Sequence, residues 1–187
     1  MIEPIESEKS LKNSYTYWFS NYDRQNLYDK SLVEVATFDT LEKFWNIFTS
    51  LSYPNELNIH ADCLIFKNGI KPLWEDEANI NGGKWILRLK KGLSSEIWEN
   101  LVLSMLTHKF DDENEICGMV VSVRGQEDIL SVWNRSSNNE VVKNKIRESM
   151  IRVLQLPYNT VIEYKKHADS IKDSSSFFNT VIPKEIK

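Results

Sequence analysis

Three short runs decide what kind of fold is open to this chain. In KWILRL, alternation puts Trp85, Leu87 and Leu89 on one face of an extended segment and Lys84, Ile86 and Arg88 on the other, with Lys90 extending the second row. In MVVSVR, Met119, Val121 and Val123 alternate with Val120, Ser122 and Arg124. In ILSVWN, Leu130 and Val132 oppose Ile129, Ser131 and Trp133. A period of two with one apolar row is the mark of a strand buried on one side, and the short link from Arg124 to Ile129 favours antiparallel pairing. Tyr15 to Phe19, Leu32 to Phe38, Cys63 to Lys67 and Thr160 to Lys165 read as further strands. Helices are predicted from an N-cap at Asp39 or Thr40 to about Leu51, from Ser94 or Ser95 to about Thr107, and from about Glu140 to Leu154, with Pro157 beyond the last. The class is α+β: one antiparallel sheet with helices on one face.

At 187 residues the chain is the size of one domain, and hydrophobic residues at 41% with charged residues at 27% are globular values. Residues 1–14 are polar and aperiodic, so a flexible N-terminal arm is expected before a domain over 15–187, and the Ser-rich stretch 168–179 is expected as a mobile loop. The net charge of -4 argues against a broad electrostatic grip on duplex nucleic acid, so an anionic ligand needs a local basic patch. Cys63 and Cys117 lie far apart without a CxxC, and with His60, His108 and His167 they make no zinc spacing, so no metal is expected. MIEPIESEKS has no apolar core and no run approaches 18 apolar residues, so neither secretion nor membrane insertion is signalled and a cytoplasmic protein is expected. Phosphate-cradling, dinucleotide, zinc-protease and nucleophile-elbow motifs are absent, so neither enzyme activity nor a cofactor is expected.

Six tryptophans are an excess that needs placing. GIKPLWEDEANINGGKW carries Trp74 beside Glu75, Asp76 and Glu77 in a stretch punctuated by Gly69, Pro72, Gly82 and Gly83. Such a Trp either covers the edge of the core or stacks on a cationic aromatic ligand while a carboxylate accepts its N–H groups. Trp133, opposite the aliphatic row of its strand, either packs under a loop or faces the open side. On the first long helix Trp45 falls at the edge of a sector made by Leu41, Phe44, Ile47, Phe48 and Leu51. On the second, Leu103 falls in the polar sector, away from Trp98, Leu101, Val102 and Met105. An exposed Leu is common, yet beside an edge Trp it makes an apolar docking patch. Lys143, Lys145, Arg147 and Arg152, interspersed with Glu140 and Glu148, read as a solvated helix face.

The strings FDTLEKFW, FKNGIKPLWEDEANINGGKW, ICGMVVSVR and EYKKHADS, in that order, resemble the eukaryotic translation initiation factor 4E family over about Tyr15 to Ser170. The resemblance implies a curved antiparallel sheet backed on its convex face by helices, holding the 7-methylguanosine cap of messenger RNA in its concave side, with no reaction catalysed. It implies that Trp74 is one wall of an aromatic sandwich, Glu75 the guanine-reading carboxylate, and Trp133 the neighbour of the N7-methyl group. Arg124 and Lys84 are implied as phosphate contacts, and Tyr28 stands where the other sandwich wall is a Trp in the main factor. For partners it implies an initiation factor 4G-like scaffold or a 4E-binding regulatory protein on Leu11, Leu41, Trp45 and Leu103, although Lys9 and Ser10 replace the His and Pro that precede the family's matching Leu. Tyr28, the short RGQED loop without a Lys, WENLVLSML and QEDILSVW resemble the 4E-homologous subclass, whose animal members are often translational repressors. Cap-binding initiation factor is the leading expectation, a repressor competing for the cap the alternative, and an interaction module with a degenerate pocket the reading of another class.

The chemistry agrees with the resemblance. A methylated guanine is a delocalised cation that gains from aromatic faces above and below, by about 1 to 3 kcal/mol per stacked base and about 2 more from cation–π attraction where water is excluded. A carboxylate can accept from N1–H and N2–H together, and the N–H of Trp74 suits O6.

Overall fold

The computed structural model describes residues 10–21 and 28–176, without the side chains of Tyr28 and Asp29. Its strands are β1 (Ser10–Asn21), β2 (Leu32–Thr40), β3 (Ala61–Lys67), β4 (Gly83–Lys90), β5 (Ile116–Ser122), β6 (Glu127–Asn134) and β7 (Ile162–Lys166). Its helices are α1 (Tyr28–Ser31), α2 (Leu41–Phe48), α3 (Ser94–Leu106), α4 (Glu140–Val153) and α5 (His167–Asp173). The strands form one curved sheet in the order β2-β1-β3-β5-β6-β4-β7, and every neighbouring pair is antiparallel.

The aliphatic rows predicted from alternation are the floor of the main core. Trp85, Leu87, Leu89, Met119, Val121, Leu130 and Val132 pack with Phe44 and Phe48 of α2, Trp98, Leu101, Val102 and Met105 of α3, and Ile146 and Met150 of α4. These helices cover one face, as expected of an α+β layer pair. Thr40 is the N-cap of α2, its hydroxyl accepting from the N–H of Lys43 at 3.2 Å, and Asp39 pairs with Lys43 at 2.8 Å. The helix stops at Phe48, short of the expected Leu51. Thr49 and Ser50 donate their hydroxyls back to the carbonyls of Trp45 (2.7 Å) and Asn46 (2.6 Å), a bond that competes with the helix ladder.

Three expectations need correction. β1 begins at Ser10, inside the stretch read as an arm, because main-chain pairing with β2 (Ser10 opposite Thr40) and the half-buried Leu11 hold a segment whose side chains do not alternate. Residues 168–173, expected as part of a mobile loop, lie in helix α5, held by its buried His167 and Ser170. Of the α4 cations, Lys143 departs from a solvated face, being buried with its Nζ 4.7 Å from the Tyr164 ring centroid, while Lys145 and Arg152 stay exposed and pair with Asp112 (3.1 Å) and Asp111 (3.0 Å). The remaining parts of the expected arm and loop, 1–9 and 177–179, lie outside the described residues.

Candidate functional site

The face of the sheet that α2, α3 and α4 leave uncovered can be read row by row from the strand registers. One row runs Lys165, Lys84, Trp133, Gly118, Phe66 and Thr16 across β7, β4, β6, β5, β3 and β1. The next runs Glu163, Ile86, Ser131, Val120, Leu64 and Trp18, and a third runs Arg88, Ile129, Ser122, Asp62 and Ser20. Alternation therefore places on this face the very residues it removes from the main core. A second, smaller apolar cluster forms here from Leu64, Phe66, Ile70, Cys117, Val120 and Trp133, with Trp18, Trp74 and Ala78 against it.

Trp133 lies in this cluster and is fixed on two sides. The Phe66 ring meets it edge-on at 5.3 Å, and His167 of α5 stacks at 4.3 Å with a 44° tilt. Gly118 makes the first contact possible, since a Cβ there would stand 2.3 Å from the Phe66 ring. Burial, then the nearby Lys84 ammonium, push the His167 imidazole down to about 3, so it packs as a neutral ring.

Trp74 projects from the loop between β3 and β4, which has little regular structure but is stapled internally. Asp76 accepts from the N–H groups of Ala78 (2.9 Å) and Lys71 (3.0 Å). The amide of fully buried Asn79 donates to the carbonyls of Lys71 (2.9 Å) and Leu73 (2.8 Å). Of the three consecutive acids, Asp76 therefore builds the loop, while Glu75 and Glu77 stay exposed. The loop closes onto β4 through Gly82, where any Cβ would collide with the Asn134 carbonyl at 1.9 Å.

Lys84 ties the two tryptophans together. Its Nζ stands 5.4 Å from the Trp74 ring centroid and 5.3 Å from that of Trp133, within cation–π range of both, and donates to the Ser176 hydroxyl at 2.7 Å. Burial, and then the neighbouring Lys165, push its ammonium down to about 7, against the opposing pull of Asp62 and Asp173. Arg124 follows β5 and sets its guanidinium 2.8 Å from Asp62, also donating to the Val123 carbonyl at 2.9 Å. Burial raises the Asp62 carboxyl despite that partner.

Trp74, Trp133 and Lys84 are thus brought together, and Arg124 lies close enough to Lys84 to act on it electrostatically. Tyr28 is the first residue of α1, whose Ser31 bonds hydroxyl to hydroxyl with Ser20 of the third row at 2.7 Å; the Tyr28 side chain lies outside the described residues. Lys165, Asp62, Phe66 and His167 were not anticipated from sequence. The strand register opposite Lys84 is the signal that finds Lys165.

On the helix-covered side, Leu11, Leu41, Trp45 and Leu103 are all half-buried at the rim of the main core. Leu103 therefore belongs to the edge of its helix's apolar sector, which the broad core widens, and not to the polar one. Toward the β1–β2 edge the helices leave a groove of about 310 Å³ lined by Phe19, Val33, Val35, Leu51 and Leu57 among others.

Comparison with known proteins is now informative. The chain is 44% identical to eukaryotic translation initiation factor 4E-4 of Caenorhabditis elegans over 95% of this chain and 86% of that protein. It is 39% identical to eukaryotic translation initiation factor NCBP of Arabidopsis thaliana over 94% and 80%. Its fold superposes with a TM-score of 0.86 on C. elegans eIF4E-3 solved with the 4E-binding protein Mextli and a cap analog, at 32% identity and covering 89% of this chain and 96% of that one. With Ascaris suum eIF4E-3 solved with the m7G cap the TM-score is 0.84 at 31% identity, over 95% and 97%. The family model described as eukaryotic initiation factor 4E matches residues 10–182, from the first residue of β1 past the end of α5. With the sheet, the backing helices and the paired tryptophans in place, the chain belongs to the eukaryotic initiation factor 4E family.

Proposed function

We propose that this chain binds the 7-methylguanosine cap of mRNA as a translation initiation factor of the 4E type, by recognition alone and without catalysis. The observation that carries this is the convergence of Trp74, Trp133 and the buried Lys84 on the uncovered face of the sheet, because two indole rings within cation–π reach of one point can stabilise a delocalised positive charge. A guanine methylated at N7 brings such a charge on a flat ring. Trp74 stacks on it, with Tyr28 as the opposite wall. Trp133 meets the methyl group, and Glu75, exposed beside Trp74, accepts the guanine N–H pair. Arg124 and Lys84 then serve the phosphates.

A protein partner fits the other face. Leu11, Leu41, Trp45 and Leu103 offer half-exposed apolar surface, and the groove by Val33 and Val35 extends it toward the sheet edge. The partner is a 4G-like scaffold or a 4E-binding regulatory protein, in keeping with Mextli on the eIF4E-3 relative. Cys63 and Cys117 are free and buried, and no helix among the described residues is long and apolar enough to cross a membrane; both suit a cytoplasmic factor.

Retention on immobilised 7-methyl-GTP tests the reading, with release expected on adding 7-methyl-GTP but not GTP. Failure to be retained, or equal release by both, refutes it and leaves the helix-face interaction as the protein's function.

A further inference from the structure

Lys165 is the most unusual cation in the molecule. It stands directly across from Lys84 in the β4–β7 register, and the two side chains are 3% and 1% exposed by residue. Like charges facing each other across strands destabilise a sheet, and burying an ammonium costs more still unless an anion answers it. Core packing gives no reason to place two lysines there. The answering groups come from the segment that follows α5: Lys165 donates to the Asp173 carboxylate at 2.8 Å and the Ser175 carbonyl at 2.9 Å, while Lys84 meets the Ser176 hydroxyl.

Asp62 is engaged by Arg124, and further along the face Arg88 pairs with Glu127 and with Glu163 at 3.7 Å. Asp173 is the carboxylate that meets Lys165, and with Asp62 it also acts on Lys84. Neighbouring strands are about 4.8 Å apart, so Trp133, Lys84 and Lys165 step along a single row away from the aromatic cluster.

We propose that Lys165 is a third phosphate-binding cation of the slot, held by the Asp173 carboxylate until a nucleotide triphosphate displaces it. The proposal rests on the cap reading and deepens it by naming a further group that meets the phosphates. Asp173 is then a competitor of the ligand, and loss of Lys165 and loss of Asp173 must act in opposite directions.

Fluorescence titration of the full chain with 7-methyl-GTP and 7-methyl-GMP tests this on wild type, Lys165→Met, Lys165→Arg and Asp173→Asn. Lys165→Met is expected to reduce the preference for triphosphate over monophosphate about tenfold or more, the scale of one charge-assisted hydrogen bond. Lys165→Arg should retain that preference, and Asp173→Asn should raise triphosphate affinity severalfold. If Lys165→Met leaves the preference unchanged, or if Asp173→Asn weakens both nucleotides as Lys165→Met does, the pair is only a clip for the segment after α5 and the proposal falls. Should Lys165→Met not fold, the direction of the Asp173→Asn effect decides. Equal wild-type affinity for GTP and 7-methyl-GTP would defeat the cap reading separately, and the GTP-to-GMP preference of the same variants would then decide the role of Lys165.

Discussion

The two faces of the sheet come from the same strands, and they are built by opposite rules. Against the helices, the buried strand residues are mainly apolar, and the polar ones, Thr40, Asp128 and Asn134, stand at or next to strand ends. On the other face, Trp18, Leu64, Phe66, Val120 and Trp133 alternate in the same rows with buried Thr16, Ser20, Asp62, Ser122, Ser131, Lys84 and Lys165. A face meant only to exclude water has no use for two ammonium groups and a carboxylate. Apolar burial on the first face stabilises the fold, at roughly 25 cal/mol per Å² of apolar surface removed from water. Polar burial on the second detracts from stability, a cost that the proposed cap site would explain.

Substitutions can separate the faces, and the largest effect is expected on the helix side. Trp98→Ala should destabilise the fold by about 3 to 5 kcal/mol in denaturant titration, since Trp98 is 0% exposed between sheet and helices. Cap affinity of the molecules that remain folded should be unchanged; a drop in it would mean that the faces are mechanically coupled. Trp74→Ala should do the reverse. It should abolish retention on the cap resin, with a loss of about 1 to 3 kcal/mol from stacking and up to about 2 more from cation–π attraction, while the melt moves little. A variant that unfolds yet binds normally when folded would reassign Trp74 to the core's edge.

Trp45→Ala lies between these cases, because the ring is half-buried against Phe44 (5.1 Å) and Phe48 (5.9 Å). We expect a loss of at least about 2 kcal/mol in binding a 4G-like peptide, with cap affinity nearly constant. Joint loss of stability and cap affinity would make Trp45 a core residue. The smallest effect concerns pH. The Lys84 ammonium titrates near 7 in the folded protein against an ordinary 10.5, so between those values the unfolded chain holds more protons and stability rises with pH. Relative to Lys84→Met, wild type should gain melting temperature as pH climbs from about 7, and parallel curves would show that Lys84 keeps its proton when buried.

The helix-covered face was legible because its logic is local. A period of two fixes Trp85, Leu87, Leu89, Met119, Val121, Leu130 and Val132 on one side whatever the tertiary arrangement. The site was legible only in part. Trp74 and Glu75 were marked by their conflict with a charged loop, and Trp133 and Arg124 by falling opposite the aliphatic rows. Lys165 gave no such sign: a lysine near the end of a strand reads as solvated, and only the β4–β7 register sets it against Lys84. Helix α5 was missed for a similar reason, since HADSIKD has weak intrinsic preference and its order depends on His167 meeting Trp133. Asp76 could have been told apart from Glu75 by side-chain length, since Asp closes a turn onto the N–H two residues ahead and Glu does not do so readily.

The ammonium that rests between Trp74 and Trp133 belongs to the protein, and that changes what entry into the slot means. On the proposed reading, cap binding exchanges one cation for another: a methylated guanine brings its own charge to the rings while Lys84 turns toward the phosphates. An unmethylated guanine must expel the same ammonium while bringing no charge of its own to the rings. The cost of expelling Lys84 is common to both bases, so on that reading it weakens each alike and leaves the choice between them to the charge that the methylated ring brings.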